Sequence, residues 1–203
     1  MPDQTVTVLA GDLVASTDLT TDDLDLALDA LRAAATLIET WHATPVHFTR
    51  NRGDGWQICL PGTAPGIREA LALRAGLRQQ GKAYETRIAI ATGPAALPEN
   101  GDLNRASGPA FVGAGHLLDR LSDNALDHAG GGALSATLIL AGQISQGWTP
   151  AQARAILPML APAPPIQSDV AARNGITRQA IQQALSGAAY PALAAALSRL
   201  EQP

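Results

Sequence analysis

The chain has 203 residues, a formal charge of −4, a single cysteine, 3% aromatic and 46% hydrophobic residues. It is too apolar and too weakly charged for disorder, and Cys59 alone excludes a disulfide framework, a cysteine-rich zinc site and a CxxC redox pair. No run of eighteen apolar residues occurs, and Met1-Pro2-Asp3-Gln4 lacks the basic and apolar regions of an export signal, so a cytoplasmic protein with no membrane contact is expected.

In chain order, Thr5–Ala10 alternates with a two-residue period and predicts a strand. Thr20 and Asp23 form a capping-box pattern ahead of a helix carrying Leu24, Leu28, Leu31, Ala35, Ile38 and Trp41. Pro45–Arg50 and Trp56–Leu60 read as a hairpin about Asn51-Arg52-Gly53-Asp54-Gly55. A helix over Pro65–Gln80 follows, with Ile67, Leu71, Arg74 and Leu77 on one side. Then come a strand over Tyr84–Gly93, a helix over Pro109–Ser122, a strand near Ala125–Ala129 and a helix over Ala133–Gln146. The order β-α-β-β-α-β-α-β predicts an α+β fold, a split βαβ or ferredoxin-like sheet elaborated at its C-terminal side.

The charge balance then changes. Residues 1–148 carry 16 acids and 10 bases, whereas 149–203 carry four arginines and two acids. Pro158–Pro165 is proline-rich and cannot be an uninterrupted helix. Two domains are expected, 1–147 and 148–203. In the second, Ser168 is the expected cap of a short helix with Val170 and Ala171 inward. Gly175 supplies a left-handed turn and Thr177 caps a second helix held by Ile181 and Leu185. This is a helix-turn-helix pattern. Thr177, Arg178, Gln179, Gln182 and Gln183 are its exposed candidates for contacting double-stranded DNA. With one lysine, Lys82, in the whole chain, a single copy would bind weakly, so DNA binding implies a dimer. A final, Ala- and Leu-rich helix over Tyr190–Glu201 would close the bundle or dimerise.

Asp12 and Asp54 carry the chemistry. In a split βαβ sheet the third strand runs antiparallel beside the first, so the two carboxylates converge at one edge. Such a pair suits Mg²⁺ or Mn²⁺ shared with phosphate oxygens. Leu13, Val14, Ala15, Ser16 and Thr17 can offer backbone groups and two hydroxyls to a triphosphate. Taken singly, an Asp in a GDG turn or after a strand is ordinary turn chemistry. Cys59 reads as an inert core thiol, Trp41 and Trp56 as core, and His42 and His47 as structural or solvated.

Gly11-Asp12-Leu13-Val14-Ala15-Ser16-Thr17, Gly53-Asp54-Gly55 and Arg87-Ile88-Ala89-Ile90-Ala91-Thr92-Gly93 resemble the three core motifs of class III nucleotidyl cyclases. Within that superfamily the chain is most similar to SatD-like bacterial proteins, through Gly108-Pro109-Ala110-Phe111 and a C-terminal helix-turn-helix introduced by Trp148-Thr149-Pro150-Ala151-Gln152. The resemblance implies a two-metal site at Asp12 and Asp54 with Leu13 beside it, a homodimer, and Arg120 as the transition-state arginine, supplied across the dimer interface. His116 stands where the family orients the ribose with asparagine, and Arg50 where a lysine selects the base. The base-selecting acid is replaced by Ser107-Gly108-Pro109. The local alternative for Arg120 is a pairing with Asp119 or Asp123 at a helix end. Three functions follow as expectations. The first is a nucleotide-linked DNA-binding regulator whose cyclase-like site binds a nucleoside triphosphate with Mg²⁺ and, when active, joins the 3′-oxygen to the α-phosphorus with release of pyrophosphate. The others are a catalytically inactive cyclase-fold regulator and a helical protein-interaction adaptor.

Overall fold

The computed structural model describes residues 4–51 and 53–201. Among them are five strands and eight α-helices in a mixed α+β arrangement. The strands are β1 (Gln4–Leu13), β2 (His47–Asn51), β3 (Gly55–Pro61), β4 (Thr86–Ala95) and β5 (Leu126–His128). The helices are α1 (Thr21–Glu39), α2 (Ile67–Arg78), α3 (Pro109–Leu118), α4 (Gly132–Gln146), α5 (Pro150–Met159), α6 (Gln167–Asn174), α7 (Arg178–Gly187) and α8 (Tyr190–Leu200). The sheet order is β2-β3-β1-β4-β5, antiparallel throughout except for the parallel β4–β5 pair.

Alternation along β1 divides the core. Val6, Val8 and Ala10 face Cys59, Ala91 and the small residues Ala110 and Ala114 of α3. Leu9 and Leu13 face the opposite layer, built from α1, α2 and α4. That second core runs on without a break into α5–α8 through Trp148, Ile156, Ile181 and Leu193. The Trp148 indole N–H donates to the Ala188 carbonyl at 3.0 Å, and Arg68 pairs with Glu201. No helix among the described residues is long and apolar enough to cross a membrane.

Several boundaries differ from the sequence reading. β1 continues through Gly11-Asp12-Leu13, because all three pair across to β4, so Asp12 lies on the strand and not after it. α2 begins at Ile67, behind the left-handed Gly66. α3 ends at Leu118, four residues early: Arg120 N–H bonds to Leu117 O and Leu121 N–H to Leu118 O, tightening the chain out of the α-helix. Arg120 therefore sits in a turn. α5 includes Pro158, which is tolerated in its last turn. Ser168 is not a cap; α6 starts two residues earlier than that cap implies, with Ile166 at the N-cap position and no side-chain bond. Thr20 and Thr177 do cap their helices, accepting from the Asp23 and Ala180 N–H groups, and Thr149, not read as a cap, does the same for α5 through Gln152 N–H.

Candidate functional site: a carboxylate cleft at the end of β1

The pairing of Gly11 with Trp56 leaves Asp12 opposite Gly55, one residue from Asp54 in the β2–β3 turn. Both aspartates line one cleft of ≈ 280 Å³, together with Asn51, Gln57 and, from the end of α3, Gly115, Leu118 and Asp119. Gly11 is glycine by necessity. A Cβ there would lie 2.4 Å from the Trp56 ring and 2.6 Å from the Arg87 carbonyl.

A polar relay beneath the cleft fixes the strand. The buried Trp56 indole N–H donates to Thr86 Oγ1 at 3.1 Å, and the Thr86 hydroxyl donates to the Asp12 carbonyl at 2.6 Å. Above it, Arg87 holds the Asp12 carboxylate with both tines of its fork. Nε donates to Oδ1 at 2.7 Å and one terminal nitrogen to Oδ2 at 2.8 Å. The other terminal nitrogen donates to Leu121 O at 2.7 Å, tying the turn after α3 to the site. The hydrogen bond to Asp12, with the charges of Asp12, Asp123 and Asp119, holds the Arg87 guanidinium above its ordinary range.

Arg87, which grips the lining residue Asp12, and Asp119, in the lining itself, have no place in the site read from the sequence. Arg87 was legible in principle, because a basic residue on the strand beside an Asp-bearing strand is a natural cross-strand partner. Asp119 was assigned only as a partner for Arg120, and it faces the cleft because α3 ends just before it.

The other residues expected to bind nucleotide or to act on it are absent from the cleft lining. Val14 N–H bonds to Glu85 O, and Ala15 takes a left-handed conformation ahead of a short 3₁₀ turn, Ser16–Asp18. Arg50 is exposed, with Nε donating to Gly53 O at 2.9 Å and a terminal nitrogen 3.2 Å from Asp25. His116 and Arg120 are both exposed. Arg120 forms no ion pair with Asp119 or Asp123 among the described residues. His42 contacts Glu69 at 3.2 Å, and Trp56 is core, whereas Trp41 is part exposed. Cys59 is buried, and burial pushes its thiol up to about 12.

The cleft fits a divalent cation conditionally. Its donors are hard oxygens, which suit Mg²⁺ or Mn²⁺, and each Asp12 oxygen keeps a lone-pair site beyond its bond to Arg87. No group of three or more His, Cys, Asp or Glu among the described residues could hold a metal by itself. Two carboxylates, one already neutralised, need a ligand that brings further oxygens.

No protein-family model and no curated protein matches the chain. Among solved structures, it is similar to the guanylyl cyclase Cya2 at 16% identity, covering 64% of this chain and 80% of that one, with a TM-score of 0.45. It is similar to the adenylyl cyclase CyaB from P. aeruginosa at 17% identity, with 68% and 82% covered and a TM-score of 0.49. The dimeric guanylyl cyclase domain of the RhoGC fusion protein from the aquatic fungus Blastocladiella emersonii gives 16% identity, 70% and 86% coverage, and a TM-score of 0.46.

Proposed function

We propose that the chain is a nucleotide-linked regulator, in which a cyclase-like domain over 1–147 binds a nucleoside triphosphate with Mg²⁺ or Mn²⁺ and the helices of 148–203 bind DNA. The observation that carries the first half is the meeting of Asp12 and Asp54 in one cleft with the Arg87 guanidinium beside them. The strand order β2-β3-β1-β4 is the one a split βαβ unit generates, which supports reading the sheet as ferredoxin-like.

In this reading Asp12 and Asp54, with the Leu13 carbonyl, hold the metal. A cation held there would supply charge neutralisation of the phosphates and acidification of the attacking hydroxyl. Ser16 and Thr17 hydroxyls and the Ala15–Thr17 N–H groups receive the phosphate chain; the Val14 amide is already bonded, so its part is to anchor the turn. Arg50 would leave Asp25 to meet the base. Because His116 and Arg120 are exposed on the same chain, their contact with ribose and α-phosphate is best supplied by the second copy of a homodimer. Turnover would join the ribose 3′-oxygen to the α-phosphorus and release pyrophosphate. The missing base-selecting acid favours the second reading, a SatD-like regulator that binds nucleotide without turnover.

Support for the DNA half comes from α6 and α7. They are joined by the left-handed Gly175, with Ile181 and Leu185 buried and Arg178, Gln179, Gln182 and Gln183 exposed beside Thr177. A helical adaptor is the competing use of the same face.

The test is calorimetry with each NTP and Mg²⁺, on wild type and Asp54→Asn. We expect heat from at least one nucleotide and a loss of about tenfold or more in affinity in the variant. Pyrophosphate release separates enzyme from sensor. No heat with any nucleotide would sink the reading. For DNA, mobility on a random duplex at low salt should fall for wild type and recover in Arg178→Ala; an unshifted duplex leaves the adaptor.

A further inference from the structure

A second cavity lies away from the carboxylate cleft. It measures ≈ 460 Å³ and opens between the end of α1, the proline-rich connector from α5 to α6, and α6 itself. That volume is in the range of small-molecule sites, about 300–1,000 Å³, which favour such junctions between packed units.

Three features of its wall point to one ligand chemistry. Flat apolar surface comes from Trp41 and the rings of Pro158, Pro162 and Pro165. Trp56 and Trp148 are buried with their indole N–H groups bonded to Thr86 and Ala188, whereas Trp41 is left part exposed on this wall. The single charged side chain lining the cavity is Arg173, an exposed residue of α6. Arg173 takes part in no ion pair among the described residues, in contrast to Arg50, Arg68, Arg78 and Arg87.

We infer that this junction cavity is a binding site for a small aromatic monoanion, its ring system lying on Trp41 and the connector prolines and its carboxylate, sulfonate or phosphate paired with Arg173. Ring stacking on an indole face and charge-assisted hydrogen bonds to a guanidinium are the interactions these groups make best. An apolar ligand without charge would leave Arg173 idle, and an inorganic anion would leave the ring surface uncovered. The site is independent of Asp12 and Asp54.

The experiment uses two fluorescent probes on the full chain, 8-anilinonaphthalene-1-sulfonate and its uncharged analogue N-phenyl-1-naphthylamine. Wild type should bind one equivalent of the sulfonate with quenching of tryptophan emission. Arg173→Glu should weaken the sulfonate by about tenfold and leave the neutral probe within about twofold. Ala163→Trp, which fills the cavity, should weaken both. Circular dichroism checks that each variant is folded, and Arg173→Glu, an exposed change, keeps the test intact if Ala163→Trp does not fold. Sulfonate binding that is absent from wild type, or unchanged in Arg173→Glu, overturns the proposal. So does probe binding that falls as protein concentration rises, which would assign the cavity to a second copy of the chain.

Discussion

Two arginines on neighbouring elements show how the same side chain does opposite work. Arg74, on α2, is 3% exposed and has no carboxylate in contact. Its guanidinium donates to the Gly142, Thr86 and Asn124 carbonyls at 2.9, 2.8 and 2.6 Å and to Ser145 Oγ at 3.0 Å. Burial lowers it to about 10, still charged at neutral pH, and its acceptors include backbone near the end of α4, where the helix dipole is negative. Arg87, on β4, is a quarter exposed and grips one carboxylate, Asp12, that lines the cleft. A cation ringed by carbonyls joins elements that are already complete. A cation on a carboxylate at a cleft is an exchangeable contact, and a ligand that brings its own charges can enter it.

Removing each charge should separate the two roles. Arg74→Met removes four buried hydrogen bonds and takes this donor from the Thr86 and Asn124 carbonyls, while Gly142 and Ser145 keep their bond to each other, at a cost of about 3–5 kcal/mol. Thermal unfolding should fall by roughly 10 °C or more in a chain of this size. A drop of only a degree or two would show that water replaces the guanidinium, and the contrast with Arg87 would collapse.

Arg87→Met should be milder for folding, about 1 kcal/mol, because the pair is partly solvated. Its larger effect is on the cleft. Without the guanidinium, Asp12 and Asp54 present unopposed charge, and Mn²⁺ added alone should bind roughly fivefold tighter than to wild type, read by electron paramagnetic resonance of the free ion. Equal Mn²⁺ binding in both proteins would mean that Arg87 does not shield the carboxylates. The same variant with Asp54→Asn should return to wild-type affinity or below.

The convergence of Asp12 and Asp54 was legible because it depends only on strand order. Once the hairpin brings β3 antiparallel to β1, the register Gly11↔Trp56 leaves the two aspartates adjacent. Helix starts at Thr20 and Thr177 were legible for a related reason, since a cap is a local hydrogen bond within three residues. What escaped was decided at long range. β1 runs past its β-branched stretch because β4 supplies pairing partners as far as Thr86↔Leu13. α3 stops at Leu118 although Leu121 continues the apolar spacing, since Arg87 pulls the Leu121 carbonyl toward β1. Arg74 stood in plain view among Ile67, Leu71 and Leu77. A charged residue on an apolar face demands buried acceptors, but carbonyls from β4, the β5 approach and α4 leave no mark in the sequence.

His128 sharpens the comparison by inverting it. Arg74 is buried among acceptors and keeps its charge, whereas His128, on β5 and 7% exposed, meets a donor. The Gly130 N–H bonds to its Nδ1 at 2.9 Å, which assigns the proton of the neutral ring to Nε2, and Nε2 is buried without a partner among the described residues. Burial therefore lowers its pKa from the ordinary 6.5, only partly offset by the neighbouring Asp127 charge. A folded pKa below the unfolded one means that the unfolded chain takes up the proton first. Folding then loses stability as pH falls below about 6.5, with a slope of at most about 1.4 kcal/mol per unit, until the folded state protonates as well. His128→Asn keeps an acceptor near Nδ1 and removes the titration. Urea unfolding between pH 7 and pH 5 should show a smaller loss of stability in this variant than in wild type. Parallel pH profiles would place a partner on Nε2 and leave His128 ordinary, and the acceptor-or-donor rule drawn from Arg74 would not extend to it.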